Sequence, residues 1–421
     1  MRTKIRWLLI GWLFLVSAVA YLDRVNISIA GQAIAREFHL NNEQLGWMFS
    51  AFVLGYALFQ APGGWLADRI GPRILLALGV VWWAIFTCLI TFFSPTAAAL
   101  LPMLIATRFC LGLGEAVVYP ASNTVVSAWI PSTERGIANG VIFAGVGFGA
   151  GITPPLITWV LLNHGWRPSF WISAAVGLVV GGVWYIIARD TPARHPWISA
   201  SETEFIQAGL PQGKSLGATL RWGAILRSRD VLAVTLSYFT YGYAAYIFFS
   251  WFFIYLNAVR GLNLKQSSYY TMLPFLAMAI GSPLGGWVSD RLTKRFGKRV
   301  GRCWFGAAAM LLAAVFIAMG SQVASPQLAS FVLAGGAGAL YLSQSCFWSV
   351  TADIGKRSAG SVSGIMNMGG QLGGALTSWA TAAIATHFGW TASFLVAAAM
   401  CAAGAILWLP VRPEGALEAT V

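Results

Sequence analysis

Charged residues are scarce in this chain of 421 residues. Asp, Glu, Lys and Arg together make up 10% of it, whereas soluble domains carry roughly 25%. Hydrophobic residues make up 57%, and no soluble fold buries that much apolar surface, so the sequence predicts that lipid is the main solvent. The 46 glycines and 20 tryptophans agree, because glycine lets transmembrane helices approach closely and tryptophan favours membrane interfaces.

Residues suited to metal, redox or nucleotide chemistry are also few. The five cysteines are scattered through apolar segments without a Cys-x-x-Cys motif, which predicts small packing residues rather than disulfides or metal ligands. Four histidines without a His-x-x-x-His pair offer no metal site. The phosphate-binding motif G-x-x-x-x-G-K-[ST] is absent, which argues against an ATP-driven pump. We therefore expect neither an enzyme nor a bound cofactor.

Twelve apolar segments are long enough to span a bilayer, at about 20 residues each. The first begins after three basic residues and contains an Ala-x-Ala sequence at 18–20, as a secretory signal peptide does. Because the apolar run continues to Ala30 and carries Asp23 and Arg24, an uncleaved first helix is the better interpretation. The segments fall near 7–30, 45–67, 74–94, 98–124, 137–162, 168–188, 231–257, 268–289, 303–320, 327–349, 361–386 and 390–410.

One long polar stretch divides these segments into six and six. It predicts an N-terminal six-helix bundle over 1–189, a cytoplasmic linker over 190–229 and a C-terminal six-helix bundle over 230–421. We expect the linker to be solvated, with a short surface helix around 200–208.

The distribution of basic residues fixes the expected orientation. With the N-terminus inside, 21 of the 27 Lys and Arg residues lie inside and 4 outside, while Arg24 and Arg108 lie within spans. This is a strong positive-inside signal, and it predicts a multi-pass protein of the inner (plasma) membrane with both termini cytoplasmic. The basic loops then face an anionic leaflet, so no nucleic-acid partner is needed to explain the net charge of +13. We expect a monomer in the lipid bilayer.

An internal repeat relates the two halves. Gly63–Arg69 reads GGWLADR and Gly285–Arg291 reads GGWVSDR, 222 positions apart, and each copy closes an apolar segment and opens a charged loop. Such a repeat at half the chain length predicts two similar halves, an arrangement typical of secondary transporters. Two further pairs keep nearly the same offset: Arg135 with Arg357, and Gly165-Trp166 with Gly389-Trp390.

The repeated motif carries a family resemblance. Gly64–Arg73 has the form G-x-L-A-D-R-x-G-x-R, and residues 286–295 echo it. With the six-loop-six layout, the chain resembles the major facilitator superfamily over essentially its whole length. The resemblance implies an all-α integral membrane fold of twelve transmembrane helices in two pseudo-symmetric halves.

Further motifs are similar to the anion:cation symporter family, which includes bacterial aldonate, hexuronate and glucarate carriers and sialin. The resemblance implies a proton-coupled symporter that imports a small organic anion, a sugar acid or another carboxylate, by alternating access. The motifs are Tyr21-Leu22-Asp23-Arg24, Gly55-Tyr56 with Gln60, the R-x-x-x-G-x-G-E sequence from Arg108 to Glu115, Phe347-Trp348 and Asn367-Met368-Gly369-Gly370.

Charged side chains inside spans point to function, because each costs at least about 2.5–3.5 kcal/mol near the bilayer midplane. Arg24 is the candidate anion receptor, since a guanidinium stays protonated and binds a carboxylate bidentately. The alternative is a structural ion pair with Asp23 or Glu115. The family resemblance adds four further substrate-binding candidates: Tyr56, Gln60, Trp348 and Asn367.

Asp23 and Glu115 are the candidate proton carriers, with Arg108 as a charged neighbour. Arg108 and Glu115 are seven residues apart and therefore share one face of a helix. An anion bound at Arg24 favours protonation of a nearby carboxylate, so that anion and proton stabilise each other's binding. For Asp23 the alternative is a fixed contact with Asn26 or another helix. The sequence does not decide which carboxylate carries the proton.

A conformational latch is expected at the cytoplasmic edge. The family resemblance assigns this role to Asp68, with Arg69 and Arg73, and to the repeat residues Asp290 and Arg291. Carboxylates favour helix N-termini, so Asp68 is expected near Ser361 and Asp290, as a weaker copy, near Ile137. Simple membrane anchoring by the basic residues is the alternative. Asp353 is expected to be an interfacial cap.

One segment departs from the family pattern. Residues 145–151 read GVGFGAG, where sugar-acid carriers often hold a polar amide, so a polyhydroxylated substrate is less favoured. A drug or metabolite exporter of the same fold is the other candidate function. Such exporters usually carry a Gly-Pro pair in this span, and here Pro154 follows Gly151 by three residues.

Overall fold

The computed structural model describes residues 3–40, 42–210, 222–252 and 255–414. These residues are almost entirely helical, as their long apolar segments predict. The α-helices are α1 Ile5–Glu37, α2 Asn42–Ile70, α3 Pro72–Leu89, α4 Leu100–Glu115, α5 Val118–Trp129, α6 Arg135–His164, α7 Trp166–Ile187, α8 Ala200–Gly209, α9 Trp222–Arg227, α10 Arg229–Ser250, α11 Leu264–Phe296, α12 Phe305–Gln322, α13 Pro326–Gly355, α14 Ala359–Phe388 and α15 Trp390–Leu407.

Twelve membrane-spanning segments in two six-helix halves confirm the predicted fold class. The N-terminal half contains α1 to α7, with α4 and α5 forming one span; the C-terminal half contains α10 to α15. Within the described residues, nine spans are long and apolar enough to cross a membrane on their own hydropathy. The other three are α2, α13 and α14, which pack between other helices; α13 is buried over much of its length. Polar residues near the middle of these helices, such as Gln60, Gln344 and Asn367, are buried in protein rather than facing lipid.

Close helix crossings join the halves in a pseudo-symmetric pair. Gly64 of α2 lies against the carbonyl of Gly360 at the start of α14, and Gly286 of α11 lies against the carbonyl of Gly136 at the start of α6. A Cβ atom at either Gly64 or Gly286 would collide with that backbone. The repeated glycines thus permit the backbone approach that small residues give to membrane helices.

The second repeat ends a helix in each half. Gly165 closes α6 with φ of 81°, and Gly389 closes α14 with φ of 84°. This left-handed region costs glycine nothing and disfavours other residues. The next helix then begins at once, at Trp166 in one half and at Trp390 in the other.

The face that carries the basic loops is called here the basic side, and it contains 69–73, 131–134, 188–210, 291–302 and the described residues Thr3 and Arg412 near the two ends of the chain. The backbone N–H of Thr3 donates a hydrogen bond to the Ser199 hydroxyl of the linker, and the backbone N–H of Arg412 donates to the Asp230 carboxylate at the start of α10. The boundaries 1–189, 190–229 and 230–421 stay a prediction.

The linker contains the predicted short helix but is not simply solvated. Helix α8 carries Glu202, which is fully buried and accepts hydrogen bonds from Thr3, Arg6 and the backbone of Ile5. Burial raises the pKa of this carboxyl, but these donors outweigh the burial and hold the pKa below its usual range. Helix α8 thereby caps the N-terminus of α1. Linker residues 211–221, including Lys214 and Arg221, lie outside the described residues.

Candidate functional site

A small internal cavity of about 40 Å³ lies between the two halves. Its wall is made mainly of tyrosines and amides, which supply hydrogen-bonding groups without charge. Helix α6 adds only Phe143 and Val146, as its glycine-rich 145–151 segment predicts. The polar lining residues are Tyr21, Tyr56, Tyr119, Tyr238, Tyr241, Tyr246, Tyr341, Gln344, Asn367 and Gln371.

Arg24 lies beside this cavity and is paired with Glu115. Its Nε atom donates to Glu115 Oε1 at 3.0 Å, and its guanidinium carbon lies 4.1 Å from the centre of the Tyr56 ring. The ion pair that the sequence analysis left as an alternative therefore exists, and its partner is Glu115 rather than Asp23. One guanidinium nitrogen, NH2, has no hydrogen-bond partner among the described residues.

Two further charged side chains are buried nearby without an ion pair in the described part of the chain. Asp23 is 6% exposed, and neither of its carboxylate oxygens has a hydrogen-bond partner there. Arg108 is 4% exposed and lies 4.8 Å from the centre of the Phe52 ring. Its expected neighbour Glu115 is bonded to Arg24 instead. The structure thus holds one paired and one unpaired acid near the cavity.

The other predicted substrate residues fall into two groups. Tyr56 and Asn367 line the cavity, and the Asn367 amide donates to Gln60 Oε1 at 2.8 Å, which joins α14 to α2. Trp348 is buried, and its indole N–H donates to the hydroxyl of Tyr238 at 3.3 Å. Trp348 therefore supports the cavity wall through Tyr238.

Sequence reasoning missed part of the C-terminal wall. Gln344 donates to the Tyr238 hydroxyl at 3.0 Å, and the Tyr246 hydroxyl donates to Gln371 at 2.5 Å. Gln344, Tyr246 and Tyr341 belong to no motif, and each looks like a packing residue in an apolar span. The concentration of tyrosine in these spans is the signal that was available.

Asp68 lies at the N-terminus of α14, where the helix-dipole argument predicts it. Its carboxylate accepts from the backbone N–H groups of Gly360 at 2.9 Å and Ser361 at 2.7 Å, and from the Ser361 hydroxyl at 2.7 Å. This contact joins the N-terminal half to the C-terminal half.

Asp290 makes the pseudo-symmetric contact at the start of α6. It accepts from the backbone N–H groups of Gly136 at 2.9 Å and Ile137 at 2.7 Å. The buried Arg302 adds an ion pair at 2.8 Å, a partner that the sequence analysis did not include. Ser289 also holds Arg302 in place.

The basic residues of the motif lie apart from these carboxylates. The guanidinium carbons of Arg69 and Arg291 lie 5.0 Å and 4.4 Å from the ring centres of Trp65 and Trp287. Arg73 lies over Tyr185 at 4.3 Å and donates to its carbonyl. These positions agree with anchoring at the membrane interface.

The expectation that Asp353 is an interfacial cap is wrong. Its carboxylate is buried and binds Arg135 at 2.7 Å and Lys298 at 3.0 Å. Arg135 begins α6 of the other half, so this ion pair crosses between the halves. The partners are remote in sequence, and local context therefore suggested only a cap.

The cavity is closed towards the basic side. The contacts of Asp68, Asp290 and Asp353 between the halves lie at the basic ends of the helices, and the Gln60–Asn367 hydrogen bond lies above them, next to the cavity. In the described part of the chain, no group of potential metal ligands is present.

Comparisons with known proteins agree with this architecture. Residues 13–378 and 293–420 match the family model of the Major Facilitator Superfamily. The chain is 33% identical over 421 residues to a probable sulfoacetate transporter of Cupriavidus necator, covering 98% of this chain and 95% of that protein. It is 30% identical over 394 residues to a probable galactarate/D-glucarate transporter of Escherichia coli, covering 89% and 86%. A proton:xylose symporter bound to 6-bromo-6-deoxy-D-glucose has the same fold, with a TM-score of 0.77 at 16% identity over 99% of this chain and 98% of that one.

Proposed function

The chain belongs to the Major Facilitator Superfamily and is a multi-pass membrane transporter rather than an enzyme; on this premise we propose that it imports a small organic anion together with protons by alternating access. The observation that carries the proposal is the ion pair between Arg24 and Glu115 beside the cavity. Relatives named as carriers of sulfoacetate and of galactarate or D-glucarate support an anionic substrate.

The ion pair supports coupling through competition. A substrate carboxylate that binds Arg24 takes the place of Glu115, because one guanidinium edge binds one carboxylate. The displaced Glu115 is then a buried carboxylate without its counter-ion, a state that protonation relieves. Anion and proton therefore stabilise each other's binding, which is the thermodynamic requirement of symport.

Asp23 and Arg108 supply a second acid and a second cation. Both are buried, and in the described residues neither makes an ion pair. Unpaired ionisable groups are expensive in a membrane and are hypotheses for function by default. We assign Asp23 as the alternative proton carrier, with Arg108 as the cation that senses its charge.

The cavity wall supports a substrate with one anionic end and a neutral polar body. The described lining residues contribute phenols and amides and no Lys, Arg, Asp or Glu. A second anionic group of the substrate would meet no counter-ion on that described wall, since the buried Arg108 is not one of its residues. We therefore expect a small monocarboxylate to be preferred over a dicarboxylate.

Orientation and the latch complete the cycle. The charge count supports a plasma-membrane location with the basic side in the cytoplasm, so the structure corresponds to a state closed to the cytoplasm. Asp68 and Asp290 stabilise this state by capping helices of the opposite half. Inward opening requires both carboxylates to leave those helix ends. We expect the unit to be monomeric.

Counterflow in proteoliposomes tests the function. Vesicles loaded with one unlabelled acid are given labelled acids from a panel of monocarboxylate sugar acids, dicarboxylates, aromatic acids and sulfonates. Exchange of a monocarboxylate, driven uphill by an inward proton gradient, supports the proposal. Exchange of amphipathic cations alone, without any acid, would instead favour the exporter function.

A further inference from the structure

One face of α11 is exposed along the whole thickness of the membrane. Its outward residues recur every three or four positions, as one face of a helix does. Tyr269 and Trp287 stand at its two ends, 18 positions apart, which corresponds to about 27 Å at 1.5 Å per residue. That distance matches a hydrocarbon core of about 30 Å with an aromatic residue at each interface. The face comprises Tyr269, Met272, Leu276, Ile280, Leu284 and Trp287.

Two arginines continue the same face beyond Trp287. Arg291 and Arg295 follow at four-residue steps and are exposed, about 6 and 12 Å further along the helix. They therefore stand at the depth of the lipid headgroups on the basic side. With Trp287, Val288, Leu292 and Phe296 they line a groove of about 470 Å³.

The two arginines differ from Lys298 and Arg302, which have protein counter-ions, and resemble the exposed Lys294 and Arg299, which lie outside the groove. Lys298 and Arg302 are bound to Asp353 and Asp290. Among the described residues, Arg291 and Arg295 make no ion pair and instead contact aromatic rings, at 4.4 Å for Arg291 over Trp287. Their hydrogen-bonding edges remain available to an anion.

The repeat in the other half agrees at the first arginine and differs at the second: Arg69, like Arg291, is exposed and lies over a tryptophan ring. Arg73 occupies the position equivalent to Arg295, but its Nε donates to the carbonyl of Tyr185 at 2.9 Å and its guanidinium lies over the Tyr185 ring. Arg73 of the N-terminal copy is therefore bound by the protein, whereas Arg295 of the C-terminal copy is exposed and makes no ion pair among the described residues.

We propose that the groove lined by Arg291 and Arg295 binds the headgroup of an anionic glycerophospholipid in the leaflet on the basic side. The phosphodiester oxygens fit the planar donors of the two guanidinium groups, and juxtamembrane cations attract anionic lipids. The acyl chains lie along the exposed face from Trp287 towards Tyr269. A lipid is the occupant rather than a soluble phosphate, because the groove opens onto an apolar face of bilayer length.

Native mass spectrometry of the purified full chain in detergent tests this proposal with phosphatidylglycerol and phosphatidylcholine. The variant Arg291→Gln/Arg295→Gln removes the groove cations. The control Lys294→Gln/Arg299→Gln removes two exposed charges from the same basic segment, residues 291–302, outside the groove. We expect the wild type and the control to prefer phosphatidylglycerol. We expect the groove variant to bind it about tenfold or more weakly, with unchanged phosphatidylcholine binding. Equal losses in both variants would mean diffuse attraction and would overturn the site.

A second measurement follows the fluorescence of Trp287 in the unmodified groove. Phosphatidylglycerol brominated near the carboxyl end of its acyl chains is expected to quench Trp287 in liposomes, read as the difference between the wild type and Trp287→Phe. Brominated phosphatidylcholine at the same mole fraction is expected to quench this residue less. Equal quenching by both lipids, or displacement of phosphatidylglycerol by millimolar inorganic phosphate, would contradict a lipid headgroup site.

Discussion

The Nε of Arg24 donates to Oε1 of Glu115 at 3.0 Å, and this pair joins α1 to α4 at the edge of the cavity. The guanidinium also lies on the Tyr56 ring, so its plane is fixed from two directions. Its NH2 nitrogen lacks a partner among the described residues. Beside the cavity the described residues therefore hold an oriented guanidinium that has one counter-ion and one nitrogen without a partner.

Arg24→Lys is expected to weaken substrate binding by about tenfold or more, because a hydrogen bond to a charged group contributes about 1.5–3 kcal/mol and lysine has neither the fork nor the planar stacking of arginine. Substrate-induced thermal shifts and counterflow measure the effect. The control is Arg36→Lys, which changes an exposed arginine in the last turn of α1. If Arg24→Ala binds substrate as tightly as the wild type, the receptor assignment is wrong.

The sequence predicted contacts that a family motif and a helix end indicate, and failed where no such rule indicates the partner. Asp68 and Asp290 were expected at particular helix N-termini because the family resemblance and the helix dipole together indicated both positions, and the hydrogen bonds lie there. Asp353 was expected to be a cap because no motif or helix-end rule relates it to its partner Arg135, 218 positions away. No pattern in one sequence relates two such residues; the fold does.

The cavity shows the same limit. Tyr56 and Asn367 were found through motifs, and both line it. Gln344 and Tyr246 lie in spans whose other residues pack against helices, and only the crossing of α10, α13 and α14 turns them towards one point. The sequence of a buried helix does not show which of its residues face a cavity, because that depends on where the neighbouring helices lie.

Asp68→Asn is expected to slow transport while leaving substrate affinity within a few fold, because the residue lies at the basic side, away from the cavity. The amide loses the charge that favours the helix N-terminus. Ser361→Ala provides a graded comparison, since it removes only the hydroxyl bond at 2.7 Å and leaves the backbone contacts. Exchange rates and binding constants are measured together. A large loss of affinity with a normal exchange rate would contradict the latch role.

Asp353→Asn is expected to destabilise the protein by about 3 kcal/mol or more, because it leaves the buried Arg135 without its counter-ion. The double variant Asp353→Asn/Arg135→Gln removes both charges and is expected to recover part of that loss, since the two residues are directly coupled. Unfolding in detergent measures both. If the loss in the double variant equals the sum of the losses measured for Asp353→Asn and for Arg135→Gln alone, the two residues are not a coupled pair.

Glu202→Gln is expected to destabilise the protein at neutral pH, because the charged carboxylate accepts the donors of Thr3 and Arg6. The pKa of Glu202 is lowered in the folded state, so its contribution is full above the unfolded pKa of about 4.3 and is lost as the pH falls through the folded pKa. The difference in unfolding temperature between wild type and variant should shrink on acidification. The control Glu204→Gln replaces an exposed carboxyl on the same helix and is expected to leave the unfolding temperature close to that of the wild type.

Glu115→Gln is expected to abolish uphill accumulation and to retain exchange. The amide resembles the protonated acid, so the loaded carrier can reorient, but the step that releases a proton is missing. If Asp23 carries the coupling proton, Asp23→Asn is expected to give this result instead. We favour Glu115 as the proton carrier because Arg24 is its counter-ion. For each variant, uptake driven by a pH gradient is compared with counterflow at equal pH. Glu37→Gln serves as the control, since Glu37 pairs with Arg167 at the end of α1 remote from the basic side. If both the Glu115 and the Asp23 variants still accumulate substrate under a proton gradient, neither carboxylate couples transport to protons.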